Sequence, residues 1–256
     1  MANIYHLHLS KKDLRGAKIA FVPGDPDRSK IIAQAFDRPV ELARKREYCT
    51  WLGYLDGHPV VATSTGIGGG STSIAIEELA MLGITTFIRV GTTGAIQKHI
   101  KLGDVVISTG SVRLDGASEH YAPLAYPAVA DFNITRALVD AAQRKKIAYH
   151  TGITASCATF YHGQERYDSF RKYVPRSLQG TMKEWQALNV MNYEMESATL
   201  FTACAANGLK AGCVAGVIVN RTQREGVHEE LVRKAEVNGL TVAVEGARQL
   251  LKEKRA

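Results

Sequence analysis

The sequence predicts an α/β fold in which one mixed sheet is buried between helices. Apolar, β-branched runs alternate with helical patterns through most of the 256 residues, which is typical of βαβ units around a sheet covered on both faces. Apolar residues make up 45% and charged residues 22% of the chain, as in ordinary globular proteins. A chain of this length buries about three quarters of the surface that its unfolded form exposes. We therefore expect a single catalytic domain over residues 1–256.

The elements are predicted in order from these patterns. Six apolar runs predict inner strands at residues 18–22, 86–90, 104–108, 152–155, 190–193 and 212–219. Two alternating segments over residues 47–64 meet at Asp56-Gly57, a strong hairpin signal, so the sheet is expected to be mixed. Helical patterns predict helices at residues 27–36, 71–82, 134–146, 196–207 and 228–252. Each predicted strand ends in small or polar residues, where folds of this kind bind ligands.

Composition excludes several classes of protein. The chain does not open on a basic region followed by an apolar run, and no stretch approaches the roughly 20 apolar residues of a membrane span, so we expect a cytoplasmic protein without a membrane partner. Cys49, Cys157, Cys204 and Cys213 are far apart and lack zinc-finger spacing, which predicts reduced, mostly buried thiols. The net charge of +7 raises nucleic-acid binding as an alternative, but the sequence has no basic helix and no aromatic-plus-basic ribbon.

Two segments place arginines where an anion could bind. Residues 22–28 form a glycine-containing turn between a strand and a helix, with Arg28 one turn inside the helix. Free N–H groups, the helix dipole and a guanidinium together make an oxyanion site, although a tight turn with a surface arginine is the alternative. Residues 87–94 carry Arg89 along a buried-type strand into a Gly/Thr loop. A buried arginine needs a partner, which is either an anionic ligand or an ion pair.

A glycine-rich segment at residues 64–71 lies between a predicted strand and a helix. It lacks the lysine before Ser/Thr that a P-loop needs. It also lacks the acidic residue about 20 positions further on that the dinucleotide fingerprint needs, which excludes an NAD-dependent oxidoreductase. We interpret it as a close-approach turn that lines a site.

Two further segments combine polar and aromatic groups. Within residues 160–166, Phe160 offers a stacking face, Gln164 a donor and an acceptor, and Arg166 donors, as recognition of a planar base with carbonyls requires. Residues 192–197 end another strand with two carboxylates, which could instead be a glycosidase pair. Taken singly, either segment is more often a surface turn or a satisfied structural cluster.

These segments, completed by the polar residues 219–225, resemble in their order the uridine phosphorylase branch of the nucleoside phosphorylase superfamily, across nearly the whole chain. Residues 111–118 and 193–199 are also similar to that branch. The resemblance implies a distorted, barrel-like mixed sheet wrapped by helices. It further implies reversible phosphorolysis of uridine to uracil and ribose 1-phosphate, without a required cofactor. Dimers with shared active sites are implied as well, usually three in a ring.

The resemblance also implies a role for each matching residue. Phosphate binding falls to Gly24, Arg28, Arg89 and Thr92, joined by Arg46 from the neighbouring subunit. Met195 and Glu196 are implied to bind the ribose hydroxyls, and His6 of the neighbour to contact the 5′ end. Phe160, Gln164 and Arg166 are implied to bind uracil, with Arg221 at the base end of the pocket. Thr93, Gly94 and Glu194 complete the implied substrate-binding set. In some relatives a monovalent cation is bound between subunits at the positions of Glu47, Ile67 and Ser71, and here we expect that cation to be K⁺.

Some positions separate this chain from its neighbours in the superfamily. Purine-specific members and nucleosidases place an aspartate after the last strand to protonate purine N7, whereas residues 220–222 are Asn-Arg-Thr here. The alternative enzyme is a purine nucleoside phosphorylase or a nucleosidase, and the missing aspartate counts against it. Gly70 stands where a proline is common, and Gly226-Val227 replaces an apolar residue and proline in the loop that closes over the base. These departures concern the lid and the fit around C5 of uracil.

Overall fold

The computed structural model describes residues 3–223 and 228–253 of the chain. Its strands are β1 (Ile19–Phe21), β2 (Asp37–Lys45), β3 (Tyr48–Leu55), β4 (His58–Thr63), β5 (Thr86–Ala95), β6 (Val105–Leu114), β7 (Ala128–Val129), β8 (Tyr149–Cys157), β9 (Asn192–Glu194) and β10 (Lys210–Asn220). Its α-helices are α1 (Pro26–Ala33), α2 (Gly69–Met81), α3 (Phe132–Arg144), α4 (Thr181–Ala187), α5 (Ser197–Ala206) and α6 (Glu229–Lys252). Short 3₁₀ helices cover Ala117–His120 and Arg176–Leu178.

Five of the strands close into a ring. β10 pairs in parallel with β5 and antiparallel with β6, and β8 joins β6 to β9 through parallel pairings. The antiparallel pairing of β9 with β5 completes the circle. From β5 the sheet continues outward through β1, β4, β3 and β2. The barrel-like mixed sheet expected for this chain is confirmed.

β5 belongs to both parts of this sheet. At its start it lies between β1 and β10, and at its end, at Gly94 and Ala95, it lies between β9 and β10. Because it has a hydrogen-bonding neighbour on both sides, it stays extended through its glycines and threonines. The prediction of a strand over residues 86–90 followed by a loop was therefore wrong in its second half.

Helices cover both faces of the sheet, as predicted. Phe87 and Ile88 are adjacent in β5 and point to opposite faces, so they belong to different cores. Phe87 packs in the core formed with α2 and α5, which includes Leu79 and Phe201. Ile88 packs in the core formed with α1, α3 and α6, which includes Leu138.

β2 was not predicted from the sequence. It is an edge strand of mostly exposed, charged residues, without the apolar alternation that indicates a strand. It is extended because it pairs with β3 along its length. The turn between β2 and β3 places Arg46 in the left-handed region, with φ of 54°. β7 and α4 were missed for a different reason, which is that both are short.

A chain of buried polar side chains joins four of the five barrel strands. The hydroxyls of Ser108 in β6 and Thr154 in β8 lie 2.7 Å apart. Thr154 donates to Asn192 Oδ1 at 2.9 Å, and Asn192 Nδ2 donates to Thr93 Oγ1 at 2.7 Å. The Thr93 hydroxyl donates in turn to the carbonyl of Tyr193 at 2.6 Å. Since each of these buried groups has a partner, this series of hydrogen bonds favours a single register of the four strands.

Two observations bear on the expectations from composition. The four cysteines are free and buried, as predicted. Over residues 3–223 and 228–253, no helix is both long and apolar enough to cross a membrane.

Candidate active site

A cleft of about 870 Å³ opens where β1, β9 and β10 end, beside the second half of β5. It brings together most of the residues predicted to bind substrate. Those that line it are Gly24, Arg28, Arg89, Thr92, Thr93, Gly94, Phe160, Gln164, Arg166, Glu194, Met195 and Glu196. Residues from four separate segments of sequence thus meet at one place.

Two loops form one wall of the cleft. The N–H of Gly66 donates to the carbonyl of Gly24 at 2.9 Å, which joins the loop at residues 64–71 to the one before α1. Gly66 has a φ of 71°, and a Cβ there would lie 2.9 Å from Glu47 Cγ and 3.1 Å from Ser71 Oγ. Only glycine fits both the backbone conformation and the space. The predicted close-approach turn is confirmed.

Arg28 projects into the cleft from α1. Asp25 caps this helix by accepting from the N–H of Asp27 at 2.8 Å, and Pro26 is its first residue. The Arg28 Nη2 atom lies 2.8 Å from Glu236 Oε1 on α6. This arginine is therefore part of a site and is held by a carboxylate, rather than lying free on the surface.

Arg89 lies at the centre of the cleft and is only 6% exposed. Its Nε donates to Glu194 Oε2 at 3.0 Å, and its Nη2 donates to Glu196 Oε2. Nη1 is buried and has no hydrogen-bond partner in the described part of the chain. At Gly91 a Cβ would lie 3.4 Å from Nη2, so a glycine there leaves space for the guanidinium. Of the two predicted kinds of partner, the structure shows the ion pair, and it leaves Nη1 without an acceptor in the described residues.

The charges of this cluster shift each other's ionisation. Burial works against the charge of Arg89, but Glu196 and Glu194 outweigh it and raise the pKa of the guanidinium. Burial raises the pKa of Glu196, opposed by the charge of Arg89 and reinforced by that of Glu194. Two carboxylates share one cation here, so the pair is bound to a single guanidinium and does not form the opposed carboxylates of a glycosidase.

The two carboxylates differ in what else they bind. Glu194 accepts from the N–H of Glu196 and the N–H of Ser197, both at 3.0 Å, and from the Ser197 hydroxyl at 2.5 Å. Glu196 accepts from the N–H of Gly68 at 2.6 Å. Glu194 thus fixes the start of α5, and its direct contact with substrate stays a prediction. Met195, between them, lines the cleft.

The predicted base-binding residues form the far end of the cleft. Gln164 and Arg166 are 4% and 7% exposed, and Arg166 Nε lies 3.4 Å from Gln164 Oε1. The Arg166 guanidinium lies over the ring of Phe160, 4.3 Å from its centroid. Arg221 Nη1 donates to the backbone carbonyl of Gln164 at 2.6 Å, and the Arg221 guanidinium lies 5.5 Å from the ring centroid of Tyr193. Arg221 thus contacts Gln164 and lines an adjoining cavity rather than the cleft itself, so its predicted role at the base end stays a prediction.

Asn220, at the end of β10, is fully occupied by the fold. Its amide nitrogen donates to the carbonyls of Gln97 at 2.9 Å and Ile100 at 2.6 Å. Its carbonyl accepts from the N–H and the hydroxyl of Thr222 at 2.9 and 2.7 Å. An aspartate here could not donate to the two carbonyls, so the purine-type acid is not accommodated at this residue.

His6 and Arg46 do not line the cleft of their own chain. The segments that carry them are in contact, because Lys45 Nζ donates to the Tyr5 carbonyl at 2.6 Å. Arg46 is exposed at its turn, and the His6 side chain is 28% exposed. Their proposed service to a neighbouring subunit stays a prediction.

The three residues predicted to bind a cation are also adjacent. Ser71 Oγ donates to the Ile67 carbonyl at 3.2 Å, and Glu47 packs beside Gly66 next to Ser71. Glu47 and Ile67 line the cleft, and Ile67 is 78% exposed. No cluster of three or more His, Cys, Asp or Glu suited to a metal occurs within the described ranges.

Several lining residues were not singled out from the sequence: Asp25, Pro26, Gly66, Tyr161, Asp168, Tyr193, Ile218 and Val219. Most of them lie inside or next to the motifs already recognised, so the segments were identifiable and the direction of each side chain was not. A Cβ at Gly70 would meet no atom within 4 Å. Gly226 and Val227 lie outside the described residues.

Comparison with known proteins shows the family to which this chain belongs. Residues 18–252 match the model of the Phosphorylase superfamily, and the chain belongs to that superfamily. The chain is 60% identical over 250 residues to the uridine phosphorylase of Escherichia coli, covering 98% of this chain and 99% of that protein. Identity is 58% to the uridine phosphorylase of Klebsiella aerogenes, with the same coverage, and 57% to that of Haemophilus influenzae, covering 98% and 100%. The predicted family is confirmed.

Proposed function

We propose that this chain catalyses the reversible phosphorolysis of uridine to uracil and ribose 1-phosphate, as a pentosyltransferase of pyrimidine salvage. One observation in the structure supports this most strongly. Arg89 presents a buried N–H group without a protein acceptor in the described residues, inside a cleft that Arg28 also lines. A buried donor left unpaired is costly, and a phosphate oxygen would satisfy it. The high identity to uridine phosphorylases over the full length supports the same activity.

At the phosphate end, the arginines act by holding the nucleophile. Cleavage of the glycosidic bond gives the sugar oxocarbenium character, and a phosphate dianion beneath the ring stabilises that charge before it attacks the anomeric carbon. Glu236 and the pair Glu194 and Glu196 hold Arg28 and Arg89 in advance, so little reorganisation is needed. Gly24 and Thr92 complete this end of the cleft.

At the base end, the residues act on the leaving group. Uracil departs with negative charge on its carbonyl oxygens, and hydrogen bonds from Arg166 and Gln164 strengthen as that charge grows. One such donor is typically worth about 3–4 kcal/mol in the transition state. Met195 and Glu196 also line the cleft and would hold the ribose hydroxyls.

The proposal includes a dimer with shared sites. Arg46 would complete the phosphate site of the neighbouring subunit, and His6 would cap the 5′ end of its ribose. Two observations support this arrangement: neither residue lines its own cleft, and the segments that carry them are in contact through Lys45 and Tyr5. Three such dimers in a ring would form the full assembly.

Two further expectations belong to the same proposal. No cofactor is required, and a K⁺ ion bound between subunits by Glu47, Ile67 and Ser71 would be structural, since these residues offer oxygen atoms from a carboxylate, a carbonyl and a hydroxyl. Four buried free thiols also suit the reducing cytoplasm.

A substrate panel tests the proposed activity. Uridine, cytidine and inosine are supplied separately with the same phosphate concentration, and release of free base is followed. Uridine should be turned over at least about 100-fold faster than cytidine, whose amine would face the donors of Arg166 and leave buried groups unpaired. Faster turnover of inosine than of uridine would contradict the assignment of the base end.

A further inference from the structure

We propose that Glu78 is a positioning residue that fixes the tautomer and orientation of His6, so that the enzyme reads the 5′-hydroxyl of the nucleoside. This inference rests on the proposed function, in which His6 reaches the ribose bound by the neighbouring subunit. It adds a residue on α2 that lies outside the cleft lining of its own chain.

The Glu78 carboxylate binds the segment that carries His6 at three points. Glu78 Oε1 lies 2.6 Å from His6 Nδ1. The carboxylate also accepts from the backbone N–H of His6 at 3.0 Å and from that of Leu7 at 2.8 Å. Glu78 is 8% exposed, so these contacts are shielded from water. Together they hold both the backbone and the ring of His6.

The charge state of Glu78 determines the tautomer of His6. Burial works to raise the pKa of Glu78, but the hydrogen bonds from the Leu7 and His6 amides and the His6 ring outweigh it and lower that pKa. An ionised carboxylate only accepts hydrogen bonds, so it selects the tautomer in which Nδ1 carries the proton and Nε2 is the acceptor. Nε2 has no hydrogen-bond partner among residues 3–223 and 228–253.

Neighbouring groups restrict the ring and its backbone. Tyr5 and Tyr48 meet the His6 ring edge-on, with centroids 4.8 and 6.4 Å away. Leu7 and Leu9 follow directly and are each 1% exposed in the core. The partly exposed ring is therefore presented to the outside in one orientation.

This arrangement predicts a preference at the 5′ position. A 5′-hydroxyl donates to Nε2, whereas a 5′-deoxy substrate leaves this acceptor unpaired. A 5′-phosphate offers only acceptor oxygens at neutral pH and brings negative charge near Glu78. The nucleoside is thus favoured over both its 5′-deoxy form and its nucleotide.

The test compares kcat/KM for uridine and 5′-deoxyuridine in the wild-type enzyme and in three variants: Glu78→Ala, Glu78→Gln and His6→Ala. One hydrogen bond corresponds to a preference of roughly tenfold for uridine. Glu78→Ala should lower the ratio of the two values toward one, because the loss falls on uridine. Glu78→Gln should keep an intermediate ratio, since its amide oxygen can still accept from Nδ1. Adding Glu78→Ala to His6→Ala should not change the ratio further.

The outcomes separate this inference from the function on which it rests. If His6→Ala leaves the ratio at the wild-type value, His6 does not contact the 5′ end, and the shared-site proposal and this inference both fail. If His6→Ala lowers the ratio and neither Glu78 variant does, this inference alone fails. An equal loss on both substrates in both Glu78 variants would make Glu78 a merely structural residue, and would also overturn the inference.

Discussion

Each of the two arginines at the proposed phosphate end of the cleft, Arg28 and Arg89, is already held by a carboxylate of its own chain. Arg28 pairs with Glu236, and Arg89 with Glu194 and Glu196. Such pairing fixes the direction of a guanidinium that would otherwise sample many rotamers, and removing one partner from a buried pair is costly. A phosphate bound here as proposed would therefore meet donors that are oriented before it arrives. This is the kind of preorganisation that electrostatic catalysis needs.

At the base end, Arg166→Ala should lower kcat for uridine by roughly two to three orders of magnitude, the usual cost of removing a donor aimed at developing charge. The KM for phosphate should change little, because Arg166 lies at the other end of the cleft. Steady-state kinetics with each substrate varied in turn measures both values. Arg171→Ala, an exposed arginine five residues further on, is the matched control and should keep wild-type turnover. Near-normal turnover by Arg166→Ala would remove this residue from the site.

At the scale of secondary-structure elements, two loops and one strand form the proposed phosphate end of the cleft. β5 carries Arg89 and the Thr92 to Gly94 segment, because it is shared between the barrel and the outer part of the sheet. The loop at residues 64–71 packs against the loop before α1 through Gly66 and Gly24. The contact between these loops fixes the position of the proposed phosphate end of the cleft.

Gly66→Ala tests that packing. The alanine would have to adopt a positive φ, and its Cβ would also press on Glu47 and Ser71. We therefore expect a loss of about 2–3 kcal/mol in the free energy of unfolding, together with lower activity. Gly57→Ala is the matched control: its φ is 81°, but a Cβ there meets no atom within 4 Å. It should lose only about 1 kcal/mol and keep full activity. Urea unfolding measures both, and equal losses would show that the close approach at Gly66 contributes nothing.

The sequence was informative wherever one segment carried its own signal. The hairpin at Asp56-Gly57 is present, with φ of 50° and 81° at the two turn residues, and the inner strands lie where apolar runs predicted them. β2 could not be found, because its strand conformation depends on pairing with β3 and not on its own residues. The extension of β5 past Val90 likewise depends on neighbours distant in sequence.

The site was predictable as a set of segments and not as a geometry. The pattern indicated that Arg89 needs a counter-charge, but not that Glu194 and Glu196 would both supply it. Asn220 stood out as a replacement for an acid, whereas its four hydrogen bonds became visible only in the fold. Contacts over such distances in sequence are set by topology, which a single sequence does not contain.

At the scale of the whole molecule, the proposal has each site completed across a subunit boundary. His6 and Arg46 do not line their own cleft, and Lys45 and Tyr5 connect the two segments that carry them. A C₂ dimer repeats every contact twice, so one such pair would serve each of two clefts. Activity would then depend on assembly.

Mixing two inactive variants tests this dependence. Arg46→Ala and Arg89→Ala are combined under conditions of subunit exchange. In a mixed dimer, one cleft has both its own Arg89 and the neighbour's Arg46, while the other lacks both. Equal mixing should therefore restore about a quarter of wild-type activity, since half of the dimers are mixed and each has one intact site. No recovery despite demonstrated exchange would place Arg46 in its own subunit's site or in none.

Phosphorolysis itself is tested most directly by the release of uracil from uridine with and without inorganic phosphate, with the sugar product identified in each case. Because Arg28 and Arg89 are proposed to hold phosphate as the nucleophile, uracil should be released only when phosphate is present, in equal amount with ribose 1-phosphate. Free ribose formed at an unchanged rate in phosphate-free buffer would contradict this mechanism.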